Sequence, residues 1–264
     1  MRRAARRPTL IRLPSMEKDH RPGGSNLSPK DEIMEKTLSV IIPVYNEKKT
    51  ILPVIEQVLR LEFVREVIVV DDGSTDGTVA LLRQTNFDSR VKPFFHDRNM
   101  GKGAALRTGF AHVAGEIATI QDADLEYDPA EFREMIKPII SGVADVVYGS
   151  RLSGGKPQRV HLFWHKLGNG FLTLLTDILY NTTLTDMETC YKMFHREVLE
   201  TITIKSNGFS VEPELTAKIC KNKRWRVYEI PISYYGRSYA EGKKITWRHG
   251  FSALFTLLKY RFMD

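Results

Sequence analysis

From Thr37 onward, the chain repeatedly alternates between short runs of apolar, mostly β-branched residues and longer segments of helical periodicity. Such alternation is typical of a mainly parallel sheet that is covered by helices. The apolar runs contain few polar residues, which indicates strands that are buried on both faces. The predicted strands are TLSVIIPVY at 37–45, REVIVVDDGS at 65–74, VKPFFHD at 91–97, EIATIQDAD at 116–124, DVVYGS at 145–150, CYKMF at 190–194 and RVYEIPI at 226–232.

Segments of helical periodicity separate these strands. The predicted helices cover 48–61, 76–85, 101–114, 130–141, 161–181, about 211–222 and about 245–262. A chain of 264 residues is long enough for one large α/β domain. We therefore predict a single domain over 37–264, with a Rossmann-like, mainly parallel sheet of the kind that binds nucleotides.

The segment before this domain, residues 1–36, is basic and has little apolar periodicity, as expected of a flexible arm. Such an arm serves either as a tether to a membrane or nucleic acid or as a solvated extension. We expect the second role, a solvated extension, and therefore expect no bound nucleic acid.

No apolar run approaches the ~20 residues that span a bilayer, and no apolar signal-peptide segment follows the arginines. Cys190 and Cys220 form no disulfide framework. These features predict a cytoplasmic protein.

Polar side chains collect where the predicted strands end. They are Tyr45, Asn46, Glu47, Asp71, Asp72, Asp122 and Asp124. Ligands of open parallel sheets bind beyond the carboxyl ends of the strands, so we expect these side chains to line one crevice.

Three of the acids, Asp122, Asp124 and Glu126, occupy alternate positions. If the chain stays extended past the strand, their side chains point the same way. Three converging carboxylates repel one another unless a cation lies between them, and oxygen ligands favour Mg²⁺ or Mn²⁺. Capping of the following helix is the alternative.

Two further turns precede predicted helices. Asp71 and Asp72 begin DDGSTDGT, where an acid either accepts hydrogen bonds from a base or ribose or shapes the turn. In RNMGKGAALRTGF at 98–110, Gly101 and Gly103 allow close backbone approach, and Lys102 at a helix N-terminus favours a phosphate. This second turn matches neither the dinucleotide fingerprint nor the Walker pattern, which disfavours hydride transfer and P-loop ATP hydrolysis.

A resemblance rests on these motifs in order: PVYNE, VVDDGSTDGT, NMGKGAALRTG and QDADLEYDP, followed by YGSR, TDMETCYKMF, GFSVEPELTAKI and ISYYGRSYAEGKKI. Over residues 38–262 the chain resembles the inverting family 2 glycosyltransferases of GT-A fold. The subgroup is the one similar to dolichyl-phosphate mannosyltransferase and related bacterial polyprenyl-phosphate glycosyltransferases.

The resemblance implies a UDP- or GDP-sugar donor, with Pro43, Tyr45, Glu47 and Asp71 or Asp72 around the nucleoside. Gly101 and Lys102 would complete the donor site. It further implies that Asp122 and Asp124 bind a divalent metal that neutralises the diphosphate. Glu126, the third candidate ligand, stands where the dolichyl-phosphate enzymes usually have glutamine.

The acceptor decides which catalytic groups are needed. A hydroxyl acceptor requires a general base, for which Asp186 and Glu188 are the candidates. A polyprenyl phosphate, with a pKa near ~6, is largely dianionic at neutral pH and needs a basic cradle instead. Arg151, Arg159 and Lys192 are the candidates for that cradle. We expect a polyprenyl phosphate; a hydroxyl acceptor and a non-catalytic sugar-nucleotide-binding protein are the alternatives.

The C-terminal segment carries an apolar stripe at helical spacing with basic residues around it. The stripe is Phe251, Leu254, Phe255, Leu258 and Phe262. It suits a helix lying on an anionic membrane, which would make the protein peripheral at the cytosolic membrane face. Packing of the stripe against the domain is the alternative.

Overall fold

The computed structural model describes residues 38–160, 163–237 and 247–263. The predicted basic arm at 1–36 lies outside the described residues. Seven strands form one sheet in the order β3-β2-β1-β4-β6-β5-β7. The strands are β1 (Leu38–Val44), β2 (Val64–Asp71), β3 (Val91–Phe95), β4 (Ile117–Ile120), β5 (Val146–Ser150), β6 (Lys192–His195) and β7 (Val227–Pro231). β6 runs antiparallel to β4 and β5, and every other pairing is parallel.

The helices follow the predicted segments with shorter ends. They are α1 (Ile51–Leu59), α2 (Thr78–Gln84), α3 (Lys102–Phe110), α4 (Phe132–Met135), α5 (Lys137–Ile140), α6 (Phe163–Tyr180), α7 (Arg196–Glu200), α8 (Val211–Lys221) and α9 (Trp247–Phe262). The short helix α7 was not predicted. None of the helices in the described ranges is long and apolar enough to cross a bilayer.

One predicted helix, 130–141, is broken into short pieces. A 3₁₀ turn at Pro129–Glu131 leads into α4, and α5 follows with Pro138 near its start. Pro138 has no N–H to donate to the preceding turn, which explains why the helix is interrupted just before it, at Ile136.

Apolar packing covers both faces of the sheet, as the continuous apolar strands predict. Successive residues of β1 alternate between two core clusters, with Val40 and Ile42 in one and Ile41 in the other. This division follows from the two-residue period of a strand. Gly109 of α3 permits close packing on β1, because a Cβ at this position would lie 2.3 Å from Cγ2 of Ile41.

The order of the strands locates the crevice. The chain passes from β1 outward to β2 and β3, then returns to place β4 on the other side of β1. A ligand site in an open parallel sheet lies where the strand order reverses in this way, at the carboxyl ends of the strands. In this fold that position is between β1 and β4.

Candidate active site

A cleft of about 1340 Å³ opens at the carboxyl ends of β1, β4 and β5. Most of the predicted site residues line it: Pro43, Tyr45, Glu47, Asp72, Gly101, Lys102, Asp122, Asp124, Glu126, Arg151, Arg159 and Glu188. Asp71, Asp186 and Lys192 do not. The fold thus brings together residues that are more than a hundred positions apart in the sequence.

Three acids converge around the guanidinium of Arg237: Glu47, Asp124 and Glu126. The sequence analysis did not identify Arg237 as a site residue. Arg237 Nη2 lies 3.1 Å from Asp124 Oδ2 and 3.3 Å from Glu47 Oε1, and its Nε lies 3.6 Å from Glu126 Oε1. Arg237 follows β7, so only tertiary structure brings it to the end of β4. Its signal in the sequence is weak, a single arginine in the motif YYGRSYAEGKK.

The acids do not converge for the predicted reason. β4 ends at Ile120, and the chain then turns, with Leu125 in the left-handed region at φ 61°. The assumption of an extended chain to Glu126 was wrong. Glu126 instead binds the segment after β7: its Oε2 accepts from the Tyr234 hydroxyl at 2.7 Å, and its Oε1 accepts from the backbone N–H of Arg237 at 2.7 Å. Glu126 therefore does not fit the predicted role of a metal ligand.

Asp122 and Asp124 differ in electrostatic state. Burial raises the pKa of Asp124 to about 7, and repulsion from Asp122 and Glu126 adds to this effect. Burial also opposes ionisation of Asp122, but the Lys102 ammonium outweighs it and lowers the pKa of that carboxyl. The guanidinium of Arg237 opposes the rise in the pKa of Asp124 but does not outweigh burial.

The described residues contain no group of three His, Cys, Asp or Glu side chains placed to hold a metal ion by themselves. Asp122 and Asp124 nevertheless suit Mg²⁺ or Mn²⁺ bound together with a nucleotide. Mg²⁺ is usually held by one or two carboxylates, with waters and substrate phosphates completing its shell. Both carboxylates line the cleft, so Asp122 and Asp124 are the residues that would hold such an ion.

Lys102 lies at the start of α3, directly after Gly101, whose φ of 98° few other residues adopt. Its Nζ donates to Asp122 Oδ1 at 2.8 Å and lies 3.0 Å from Cys190 Sγ. Burial disfavours the charged ammonium, but Asp122, Cys190 and Glu212 outweigh burial and raise the pKa of Lys102 well above its usual range. The cleft therefore presents a permanent positive charge at a helix N-terminus, a position that suits a diphosphate.

The two acids of the DDGS turn have structural roles. Asp72 accepts from the backbone N–H groups of Met100 at 2.9 Å and Gly101 at 2.6 Å, and its Oδ1 lies 2.7 Å from His96 Nδ1. Asp71 is fully buried, and its Oδ1 accepts from the Ser74 N–H at 2.8 Å. Its Oδ2 is buried and has no hydrogen-bond partner among the described residues, so the role of Asp71 beside the nucleoside stays a prediction. Asp72 fixes the turn that carries Lys102.

Arg151, directly after β5, is held by Asp186 through two hydrogen bonds. Nε donates to Oδ2 at 2.6 Å and Nη2 to Oδ1 at 2.7 Å, while Asn169 Nδ2 donates to the same carboxylate at 2.8 Å. Burial opposes ionisation of Asp186, but Arg151 outweighs it and lowers the pKa of the carboxyl. A fully buried carboxylate in a bidentate pair is a poor proton acceptor, so Asp186 does not fit the predicted role of a base.

Of the two remaining basic candidates, Lys192 and Arg159, only Arg159 lines the cleft. Lys192 is fully buried, and its Nζ donates to Glu212 Oε2 at 2.6 Å and to the carbonyl of Thr189. Lys192 does not line the cleft and its ammonium is already paired, so it does not fit the predicted role in an acceptor cradle. Arg159 does line the cleft, and its Nη1 donates to the Gly236 carbonyl at 2.8 Å.

Glu188 has the properties of a base that Asp186 lacks. It lines the cleft, and its Oε1 has no hydrogen-bond partner among the residues that the structure describes. Burial raises the pKa of Glu188 to about 7, against the lowering effect of Lys192.

The far end of the cleft is apolar and lies between α6 and α9. Several aromatic and aliphatic side chains of both helices are exposed: Phe163, Trp164, Leu167, Phe171, Leu174 and Ile178 on α6, and Phe251, Phe255, Leu258 and Phe262 on α9. The predicted α9 stripe is thus divided: Leu254 packs against the core, whereas Phe251, Phe255, Leu258 and Phe262 remain partly exposed. The face on α6 was not predicted. We call this set the α6–α9 apolar face.

The fold and the cleft define a class of protein. The structure is similar to that of glucosyl-3-phosphoglycerate synthase from Mycobacterium tuberculosis, crystallised with Mn²⁺, uridine diphosphate and phosphoglyceric acid. The TM-score is 0.70 at 21% sequence identity, over 93% of this chain and 86% of that one. This likeness establishes the GT-A glycosyltransferase fold.

Residues 39–203 match the family model of glycosyl transferase family 2, and the chain belongs to this family. It is a glycosyltransferase. It is 27% identical over 241 residues to UDP-N-acetylglucosamine–dolichyl-phosphate N-acetylglucosaminyltransferase of Methanococcus voltae, covering 85% of this chain and 96% of that protein. It is 30% identical over 233 residues to dolichyl-phosphate beta-glucosyltransferase ALG5C of Trichomonas vaginalis, covering 78% and 68% of the two chains.

Proposed function

We propose that this glycosyltransferase transfers a sugar from a nucleoside diphosphate sugar to a polyprenyl phosphate at a membrane surface. The observation that carries the proposal is the composition of the single cleft. One end holds acids and Lys102, the middle holds Arg151 and Arg159, and the far end opens on the α6–α9 apolar face. The names of the two relatives, which both act on dolichyl phosphate, support the same acceptor class.

The donor would occupy the acidic end of the cleft. Pro43, Tyr45 and Glu47 line the space beside β1 for the nucleoside, and Lys102 at the N-terminus of α3 faces the diphosphate. Asp122 and Asp124 would hold a divalent ion, which supplies further positive charge where the leaving diphosphate becomes more negative. Crystals of the synthase from Mycobacterium tuberculosis with Mn²⁺ or Mg²⁺ and uridine diphosphate support this choice of metal.

The acceptor phosphate would bind between Arg151 and Arg159. Asp186 fixes the guanidinium of Arg151, so this residue offers a preorganised positive charge to the phosphate. A phosphate oxygen then attacks the anomeric carbon as the bond to the nucleoside diphosphate breaks. Because the acceptor is already largely dianionic, no proton has to be removed by the protein.

The lipid part of the acceptor would lie along the α6–α9 apolar face. Phe163, Trp164 and Leu167 expose from half to three quarters of their surface, and Phe251 and Phe255 expose about two thirds. An exposed apolar surface of this extent marks an interaction site. Contact with a membrane would cover it and bring a polyprenyl chain to the mouth of the cleft, as in a peripheral membrane protein. The cytosolic face is part of the same proposal.

A hydroxyl acceptor is the second candidate, and Glu188 is the observation that favours it. A cleft carboxyl with a pKa of about 7 is matched to proton removal near neutral pH. The variant Glu188→Gln distinguishes the two readings. It keeps transfer to a polyprenyl phosphate but loses ~10² to 10⁴-fold in transfer to a hydroxyl group if Glu188 is the base.

The first experiment is release of nucleoside diphosphate from a panel of UDP- and GDP-sugars, with Mg²⁺ or Mn²⁺ and with or without a short polyprenyl phosphate. Stimulation of release by the lipid, with the sugar recovered on the phosphate, is the expected result. If a donor is consumed only when a sugar or other alcohol is supplied, the proposal of a lipid acceptor is refuted. Donor binding without any transfer would favour a non-catalytic binding protein.

A further inference from the structure

Glu212 lines the cleft but has no part in the function described so far. It lies in the first turn of α8 and is 3% exposed. The helix dipole favours acids in the first turn of a helix, but this effect also operates on an exposed side chain and does not require burial. The burial of Glu212 between two lysines therefore needs another explanation.

The contacts of Glu212 form a buried chain of alternating charges. Glu212 Oε2 accepts from Lys192 Nζ at 2.6 Å, and Oε1 lies 3.2 Å from Lys102 Nζ. Lys102 in turn donates to Asp122 Oδ1 at 2.8 Å. The order is thus Lys192, Glu212, Lys102 and Asp122, from the interior toward the cleft. Such a chain couples the candidate metal ligand to a residue on a helix at the opposite wall.

Lys102 is shared unequally between its two carboxylates. It has hydrogen-bond geometry toward Asp122, whereas Glu212 Oε1 has no hydrogen-bond partner among the described residues. A metal ion bound to Asp122 would compete with Lys102 for that carboxylate. Glu212 Oε1 is then the free acceptor that keeps the ammonium beside the diphosphate.

We propose that Glu212 is the positioning residue for Lys102: it holds the ammonium at the diphosphate subsite and so leaves Asp122 available to the metal. Lys192 completes the arrangement, because it neutralises Glu212 and prevents that carboxylate from repelling an anionic donor. Without Glu212, Lys102 would pair with Asp122 alone and compete with the metal for it. This inference rests on the donor chemistry proposed above.

The test compares Glu212→Gln with a matched control, Glu66→Gln. Glu66 is also a buried glutamate, with Lys92 Nζ at 2.6 Å, but it lies near the start of β2, at the opposite end of the sheet from the cleft. Both substitutions remove one carboxylate charge from a lysine pair. Only the first changes the partner of Lys102.

Binding and turnover are both measured: the Kd of UDP and GDP with and without Mn²⁺ by calorimetry, and kcat and KM for the donor. We expect Glu212→Gln to weaken Mn²⁺-dependent binding and to lower kcat, each by roughly 10- to 100-fold, as for the loss of groups that orient a ligand. Glu66→Gln should change both quantities by less than about twofold, since distant sites act independently. In a Lys102→Gln background, Glu212→Gln should have almost no further effect on Mn²⁺-dependent nucleotide binding, although it still removes the carboxylate that pairs with the buried Lys192.

Equal Kd and kcat values for Glu212→Gln and Glu66→Gln would overturn the inference. The inference would also be overturned if Glu212→Gln reduced binding and kcat as much in the Lys102→Gln background as in the wild type, because Glu212 would then act independently of Lys102. Failure of the wild-type protein to bind either nucleotide would instead refute the proposed donor, and the inference with it. Wild-type binding together with an unaffected Glu212→Gln variant would refute the positioning role alone.

Discussion

Replacing Glu188 by glutamine should stabilise the folded protein at neutral and alkaline pH. Burial raises the pKa of Glu188 to about 7, repulsion from Glu212 and Asp186 adds to the rise, and attraction by Lys192 and Arg151 opposes it. An ionised carboxylate at this position therefore lowers the free energy of unfolding of the protein. Glutamine has nearly the same shape and carries no charge, so it removes this effect.

The sign and size of the expected change in the free energy of unfolding follow from the linkage between folding and protonation. The folded protein retains a proton on Glu188 that the unfolded chain releases between its ordinary pKa of 4.5 and about 7. Stability contributed by this group is therefore highest below the ordinary pKa, falls as the pH rises toward the folded pKa, and is constant above it. At about 1.4 kcal/mol for each pKa unit, the total is about 3 kcal/mol.

The assay is urea denaturation of both proteins from acid to alkaline pH without added metal. The difference in the free energy of unfolding should be near zero at the acid end and should reach about 3 kcal/mol in favour of Glu188→Gln at alkaline pH. Glu66→Gln is the control of opposite sign. Burial opposes ionisation of Glu66, but Lys92 and Ser39 outweigh it and lower its pKa, so this substitution destabilises. A difference between wild type and Glu188→Gln that does not vary with pH would refute the reasoning.

Three further results are expected. Asp124→Asn should abolish Mn²⁺-dependent nucleotide binding in calorimetry while the far-ultraviolet circular dichroism stays unchanged; binding at wild-type strength would remove Asp124 from the metal site. Asp186→Ala should lower the free energy of unfolding by roughly 3–5 kcal/mol, because it leaves the largely buried guanidinium of Arg151 without its partner; a loss below about 1 kcal/mol, as for a surface ion pair, would contradict this. Glutamates at the exposed positions Phe171 and Phe255 should weaken co-sedimentation with anionic vesicles by about tenfold or more and leave the thermal midpoint unchanged; unaltered sedimentation would show that the α6–α9 apolar face is not the membrane contact.

Local patterns in the sequence were sufficient for the sheet and for most of the cleft. Continuous apolar runs identify buried parallel strands, and the polar residues at their ends must share one edge because parallel strands point the same way. Asp122, Asp124 and Lys102 line the cleft for this reason. The outline of the donor site is thus a consequence of the parallel direction of the strands, which short segments predict, whereas the order of the strands came from the structure.

Long-range contacts decided the rest. Arg237 reaches Asp124 and Glu126 from a segment after the last strand, and no local pattern relates residues so far apart in the chain. Lys192 was predicted to contact the acceptor phosphate, yet its pairing with Glu212 permits full burial of a side chain that is rarely buried. A sequence specifies which residue types can line a cleft, whereas which charges pair depends on distances between elements, and only the tertiary structure sets these.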